Sequence, residues 1–224
     1  MKYAALVAAG AFALSACGGD TTPAQETQTE NGTEVTATGG PVTVDCPPAG
    51  GTDERVTEFQ GAPPMCIDPE KTYTATVTTD AGEFTVDLLA DQAPATVNNF
   101  VFLARHHYYD GIIFHRVIPG FMNQTGDPQG DGTGGPGYTF DDELPEAGAY
   151  EVGSVAMANR GPNTNGSQFF IVTGDAGVNL PPDYALFGQV TEGMETVHAI
   201  EAGGSDSGAP EQTHTIEKVT IDES

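Results

Sequence analysis

The sequence predicts a mainly β fold, a closed antiparallel β-barrel capped by two α-helices. Three observations predict it. Short apolar runs bounded by Gly, Pro or Asn recur from about residue 73 onward, only two stretches carry the helical period, and no internal repeat is visible.

The elements follow in order. Tyr73, Ala75 and Val77 alternate with Thr, and Phe84, Val86 and Leu88 alternate with polar partners. Asp80-Ala81-Gly82 lies between these runs, so they read as an antiparallel hairpin. Pro94 suits the first turn of a helix, where its missing N–H would be unpaired anyway. Val97, Phe100, Val101 and Ala104 then recur at the helical period. Residues 112–117, 153–158, 168–173 and 185–190 are further short apolar runs of strand character. A second helix fits residues 192–201, with Met194, Val197 and Ile200 inward and Gly203 as its stop. Residues 213–221 alternate in part and read as a closing strand.

Ahead of the barrel the sequence changes character. Met1 and Lys2 precede an apolar, Ala-rich run over residues 3–14, too short to cross a bilayer comfortably but suited to an export signal. Leu14-Ser15-Ala16-Cys17 resembles the bacterial lipobox, in which cleavage precedes a Cys that receives lipid; the alternative is an ordinary signal with a chance Cys. The expected organisation is a lipoprotein signal over 1–16, a flexible tether over 17–44 from lipidated Cys17, a Pro- and Gly-rich lead-in over 45–68, and the folded domain over 69–224. This places the protein outside the cytoplasm, anchored to a bacterial membrane. More than one acyl chain is needed for durable anchoring. In such an oxidising compartment Cys46 and Cys66 read as a disulfide, since a metal pair lacks His or Cys partners at ligand spacing. Because the lead-in precedes the barrel, reduction of that bridge is expected to leave catalysis largely unchanged.

With 7 Lys and Arg against 32 Asp and Glu, the chain carries a formal charge of −25. Such a surface repels nucleic acid, whose binding depends on cationic side chains releasing phosphate counterions. Its acidity reads as solubility, with adaptation to a salty exterior as the sharper alternative. The hydrophobic fraction of 38% is low, consistent with a polar segment diluting an ordinary core.

Generic catalytic motifs fail. Asp131-Gly132-Thr133-Gly134-Gly135 lacks the ending of a phosphate-binding loop, and neither a Gly-x-Ser-x-Gly elbow nor a His-Glu-x-x-His pair occurs. His106-His107 follows the first helix, where favouring the negative helix end is commoner than metal binding. His115 shares the strand face of Ile113 and by pattern alone reads as structural.

Two longer stretches carry the chemistry. Phe114-His115-Arg116-Val117-Ile118-Pro119-Gly120-Phe121-Met122-Asn123-Gln124-Thr125-Gly126-Asp127 resembles the signature segment of the cyclophilins. Met157-Ala158-Asn159-Arg160-Gly161-Pro162-Asn163-Thr164-Asn165-Gly166-Ser167-Gln168-Phe169-Phe170 is similar to the family's second signature. Residues 131–135 and Phe187-Gly188-Gln189-Val190 match two further blocks in the correct order, so the resemblance spans about residues 73–221.

The resemblance implies an eight-stranded barrel with two helical caps and the isomerisation of X-Pro bonds in proline-containing polypeptides. It implies Arg116, Phe121 and Gln124 as the catalytic group. Phe121, Met122, Phe170 and Leu180 would line a slot for the proline ring. Ala158, Asn159 and Gln168 would line an adjoining groove, and Tyr184, standing where a His is common, and His115, beside the arginine, would also bind substrate. Asn179 would take a pocket-edge position often held by Trp, and Arg160 would replace a small residue at the groove floor. Those departures imply altered inhibitor sensitivity and substrate preference.

Physical chemistry supports the same reading. An X-Pro amide rotates over a barrier of roughly 18–20 kcal/mol, and nothing need be deprotonated or attacked to lower it. A site must favour the twisted amide, in which the prolyl nitrogen regains its lone pair. A fixed cationic donor does this, and Arg stays protonated at any ordinary pH. The chemistry calls for no metal and no cofactor, and a single chain suffices, so a monomer is expected. Two other readings stand beside it: a module that holds Pro-containing peptides without turnover, and a structural lipoprotein on a re-used fold.

Overall fold

The computed structural model describes residues 44–224. The expected signal peptide, Cys17 and the tether up to residue 43 lie outside the described residues. The elements run β1 (Tyr73–Thr79), β2 (Gly82–Leu88), α1 (Pro94–Arg105), β3 (Arg116–Ile118), β4 (Met122–Thr125), β5 (Ser154–Met157), β6 (Phe169–Val172), α2 (Asp175–Val178), β7 (Leu186–Glu192), α3 (Met194–Ala202) and β8 (Ile216–Glu223). All eight strands join one antiparallel sheet in the order β3-β4-β6-β5-β7-β2-β1-β8. Its two edges meet just before β3, where Ile113 bridges Thr215 and the Phe114 N–H donates to the His214 carbonyl at 2.9 Å. The expected mainly β architecture stands, with the one-turn α2 added to the two capping helices α1 and α3.

The main core fills the space between the inner face of the sheet and these helices. Phe100 packs on Tyr109, Phe169 and Phe187 with ring centroids 5.1, 5.6 and 5.3 Å apart. Helix α1 begins at Pro94, but Ala93 offers no side-chain cap. Glu143, from the long β4–β5 excursion, supplies one: its carboxylate accepts from the Ala95 N–H (3.1 Å), the Thr96 N–H (2.8 Å) and the Thr96 hydroxyl (2.8 Å). A negative charge there also suits the positive end of the helix dipole. At the other end the His106 ring meets the Phe102 carbonyl at 2.8 Å, so it satisfies one of the last helical acceptors. Arg105, 6% exposed, reaches Glu223 of β8 at 2.6 Å.

The lead-in is irregular but packed. Cys46 and Cys66 are disulfide-bonded, with Cα atoms 5.3 Å apart. Between them Thr52 and Val56 donate backbone N–H groups to the Arg105 and His106 carbonyls at 2.8 and 2.9 Å. Near the second cysteine, the Asn98 side chain accepts from the Cys66 N–H at 2.6 Å and donates to the Pro64 carbonyl at 2.9 Å. Phe59 and Ile67 are buried in the same core as the barrel. The polar Asn98, Asn99 and Arg105 of α1 are buried as well.

Candidate active site

Side chains alternate between the two faces of a strand, and β4 and β6 use both. Asn123, Thr125, Phe169 and Ile171 point into the barrel, where the Asn123 amide donates to the Val197 carbonyl of α3 at 2.8 Å. Met122, Gln124, Phe170 and Val172 point outward. The register places Arg116 opposite Gln124, Gln124 opposite Phe170, and Phe170 opposite Ala156, one row across four strands. Met122, Tyr150, Ala156, Phe170 and Val172 form a second, smaller apolar cluster on this outer face, joined by Phe121, Leu180 and Tyr184.

An open slot of about 130 Å³ sits in that cluster, lined by Arg116, Phe121, Met122, Gln124, Ala158, Asn159, Phe170, Leu180 and Tyr184. Phe121, Met122, Phe170 and Leu180 give it an apolar side, and Arg116, Gln124 and Asn159 a polar one. Arg116 lies over the Phe121 ring at 5.6 Å to the centroid, and its Nη1 donates to the Gln124 Oε1 at 3.3 Å. Gln124 Nε2 in turn donates to Gln168 Oε1 at 3.0 Å, and Gln168 Nε2 donates to the Gly132 and Gly134 carbonyls at 3.1 and 2.9 Å. The alkyl part of Arg116 rests on Gly208, whose φ of +87° places it in the left-handed region. A Cβ there would come within 3.2 Å of the Arg116 Cγ, so both conformation and space call for glycine.

Next to the slot is a larger groove of about 580 Å³, bounded by residues 132–139, by Ala158, Asn159, Arg160 and Thr164, and by Gln124 and Gln168. Gln124, Ala158 and Asn159 border both cavities. The buried Asp127 carboxylate holds the start of the groove loop by accepting from the Gln129 and Gly132 N–H groups at 2.7 and 2.6 Å. Arg160 reaches across to the Gly132 carbonyl at 2.7 Å.

The structure thus brings together Arg116, Phe121, Met122, Gln124, Ala158, Asn159, Phe170, Leu180 and Tyr184 at the slot, and Gln168 beside them. Two expectations are corrected. His115 lines neither cavity; its Nε2 stands behind the groove loop, 3.9 Å from where a Gly132 side chain would begin, and both ring nitrogens are buried without a partner. Burial lowers its pKa, with Asp127 and Asp131 pulling upward and Arg116 downward. Asn179 does not edge the slot either, because it terminates α2 and its amide donates back to the Asp175 carbonyl at 2.7 Å.

Sequence reasoning missed Tyr150. Its hydroxyl donates to the Tyr184 carbonyl at 2.7 Å and accepts from the Tyr184 N–H at 3.2 Å, fixing the slot's mouth. Burial pushes its pKa up to about 12, against a lesser lowering by that carbonyl bond, so it remains a donor. Glu201 was missed too; it accepts from the Gly120 N–H at 2.7 Å, just before Phe121. Both depend on contacts distant in sequence, which no local pattern marks.

Comparison with known proteins places this geometry. The family model "Cyclophilin type peptidyl-prolyl cis-trans isomerase/CLD" matches residues 74–221. Peptidyl-prolyl cis-trans isomerase-like 3 of Gallus gallus is 47% identical over 130 residues, covering 56% of this chain and 80% of its own. Probable peptidyl-prolyl cis-trans isomerase A of Mycobacterium bovis is 42% identical over 172 residues, covering 68% of this chain and 94% of its own. The crystal structure of a cyclophilin type isomerase of Cryptosporidium parvum superposes with a TM-score of 0.62 at 37% identity, covering 67% of this chain and 98% of that one. A second structure of that protein, determined in the presence of the dipeptide Ala-Pro, gives a TM-score of 0.61, also at 37% identity, with 66% and 98% covered. The match reaches from the second residue of β1 into β8 and includes every residue of the slot, and this chain belongs to the cyclophilin-type peptidyl-prolyl cis-trans isomerases.

Proposed function

We propose that this isomerase acts on X-Pro bonds of polypeptides outside the cytoplasm and assists their folding, as a monomer held at a bacterial membrane by lipidated Cys17. The observation that carries the site assignment is the Arg116–Gln124–Gln168 hydrogen-bond chain that runs from the slot into the adjoining groove. In this reading Phe121, Met122, Phe170 and Leu180 hold the proline ring while the chain on the other side of the amide turns. Arg116 donates toward the prolyl nitrogen as that atom loses its resonance with the carbonyl. A donor that meets the twisted amide better than the planar one lowers the barrier without moving a proton. Gln124 aims the guanidinium and meets the substrate backbone, and Ala158, Asn159, Gln168 and Tyr184 flank the peptide. The related isomerase studied with Ala-Pro supports a proline-bearing ligand for this slot.

The site is tested by following isomerisation of a short prolyl peptide with wild type and Arg116→Ala. Turnover by the wild type and its loss in the folded variant support the assignment; equal rates in both would overturn it. Anchoring is tested separately, by expressing the full chain and Cys17→Ser in a bacterium supplied with labelled palmitate. Label and membrane association present in the first and lost in the second support the anchor, whereas soluble, unlabelled protein from both would dismiss it. Light scattering of the purified domain tests the monomer.

A further inference from the structure

The lead-in does more than join the barrel to what precedes it, because it touches the wall of the groove. The Phe59 N–H donates to the Pro136 carbonyl at 2.9 Å. The Phe59 carbonyl sits only 2.6 Å from where a Cβ on Gly137 would stand, and Gly137 has φ +95°. Any other residue at 137 would be strained by its backbone and would collide with the lead-in. The Phe59 side chain, 2% exposed, packs against Phe102 (4.8 Å between centroids), His106 (5.1 Å) and Tyr138 (6.4 Å). Phe59 is thus seated on α1 by its ring and grips residues 136 and 137 by its backbone.

Those two residues belong to the groove loop, and so does Gly134, whose carbonyl accepts from Gln168. Gln168 bonds Gln124, and Gln124 bonds Arg116. A continuous run of contacts therefore leads from the lead-in to the rim of the slot. The Cys46–Cys66 disulfide closes the loop that presents Phe59, and that loop is tied to α1 at Thr52, through the Arg105 carbonyl, and at Cys66, through the Asn98 side chain.

We propose that Phe59, held by the stapled lead-in, is a positioning residue for the groove, setting where residues 134–137 stand and so how firmly the enzyme holds a peptide beyond its proline. The inference rests on the slot and groove being the peptide site described above. A peptide that occupies only the slot depends little on this wall. A peptide that runs on through the groove lies against it directly. The disulfide then acts on substrate preference as well as on stability, and reduction weakens the grip on long substrates before it affects short ones.

The test compares two substrates on the full chain: a four-residue prolyl peptide and a ten-residue prolyl peptide extended on both sides. Values of kcat and KM are measured for wild type, Phe59→Ala, Phe59→Leu and the Cys46→Ser/Cys66→Ser pair, each checked for folding by near-ultraviolet circular dichroism. The ratio of long-peptide to short-peptide kcat/KM is expected to fall about fivefold in Phe59→Ala and in the Cys pair, through KM of the long peptide, the size of effect usual for residues coupled to a site through contacts. Phe59→Leu, which keeps an apolar anchor, should restore most of the ratio. An unchanged ratio in folded Phe59→Ala, or equal losses with both peptides, would overturn the proposal by reducing Phe59 to a packing residue. Should Phe59→Ala fail to fold, the Cys pair and dithiothreitol-treated wild type decide the matter by the same ratio. A wild type that turns over neither peptide would instead overturn the isomerase site itself.

Discussion

Arg116 and Gln124 stand directly opposite one another on β3 and β4, and the guanidinium donates to the glutamine amide oxygen at 3.3 Å. The pair is exposed, so its contribution lies in aim rather than in stability. Arg116→Ala should lower kcat/KM on the order of 10²–10³-fold, as expected for loss of one preorganised donor. Gln124→Ala leaves the cation in place but unguided, and should cost about tenfold. Circular dichroism should match wild type for both, and rates measured with a short prolyl peptide check the ordering.

Catalysis should be nearly independent of pH between about 6.5 and 8.5, because the proposed donor is an arginine, which does not titrate in that range. Rate–pH profiles with two well-defined limbs would point to proton transfer instead.

Stability should behave differently. Burial lowers the pKa of His106, partly offset by its bond to the Phe102 carbonyl, and burial also lowers that of His115. Both rings are therefore protonated more readily in the unfolded chain, where the ordinary value is 6.5. Their contribution is fully present above that pH and declines as pH falls below it, until the folded-state values are reached. The decline is at most about 1.4 kcal/mol per pH unit for each group. Tm measured from pH 7.5 down to 5.5 should fall, and His115→Gln should flatten the curve.

Glu143 caps α1 from 47 residues away in sequence. Glu143→Ala should cost about 1–2 kcal/mol, since it strands two backbone donors and a hydroxyl and removes a charge from the positive helix end. Urea unfolding with an unchanged m value checks this.

The Cys46–Cys66 bridge spans 20 residues. Its removal should destabilise the protein by about 3 kcal/mol. For a domain of this size that corresponds to a Tm lower by roughly 6–12 °C. Calorimetry of the Cys46→Ser/Cys66→Ser protein measures it, and alkylation followed by mass spectrometry verifies the bridge in wild type.

The hairpin β1–β2 was legible because alternation and the Asp80-Ala81 turn coincide. Helix α3 was legible because Val197 and Ile200 are both fully buried at helical spacing. Strand β4 was not, since Met122-Asn123-Gln124-Thr125 turns polar side chains to both faces: Asn123 and Thr125 bond inside the barrel, and Gln124 serves the slot. Of the run over 112–117 only the end enters β3, because residues 112–114 pair instead with residues 214–216, which lead into β8. The one-turn α2 is too short to show a period. For the slot, the side chains were legible from the signature resemblance, but not from pattern, which would assign Met122 and Phe170 to a core. They do form one, on the outside of the sheet. Asn179 and His115 were misplaced because identity at a position does not say which way a side chain packs: Asn179 bonds back to α2, and the His115 ring is buried behind the groove loop. The role of Phe59 lay beyond reach, since a lone aromatic in a Pro- and Gly-rich segment carries no local sign of what it packs against.

The ladder between β1 and β8 pairs Tyr73 with Glu223 and Thr79 with Ile216, joining the two ends of the folded region. Such pairings are among the most distant made by the described residues, and loop closure must be met before they can contribute. A chain emerging from its N-terminus would complete β1 and β2 early and then keep β1's outer edge unpaired until the last strand appeared. During that interval the edge could recruit a strand from another chain, the usual route to aggregation for incompletely made sheets. Refolding should therefore be slow and sensitive to protein concentration, and cutting away β8 should yield aggregates rather than a smaller folded unit.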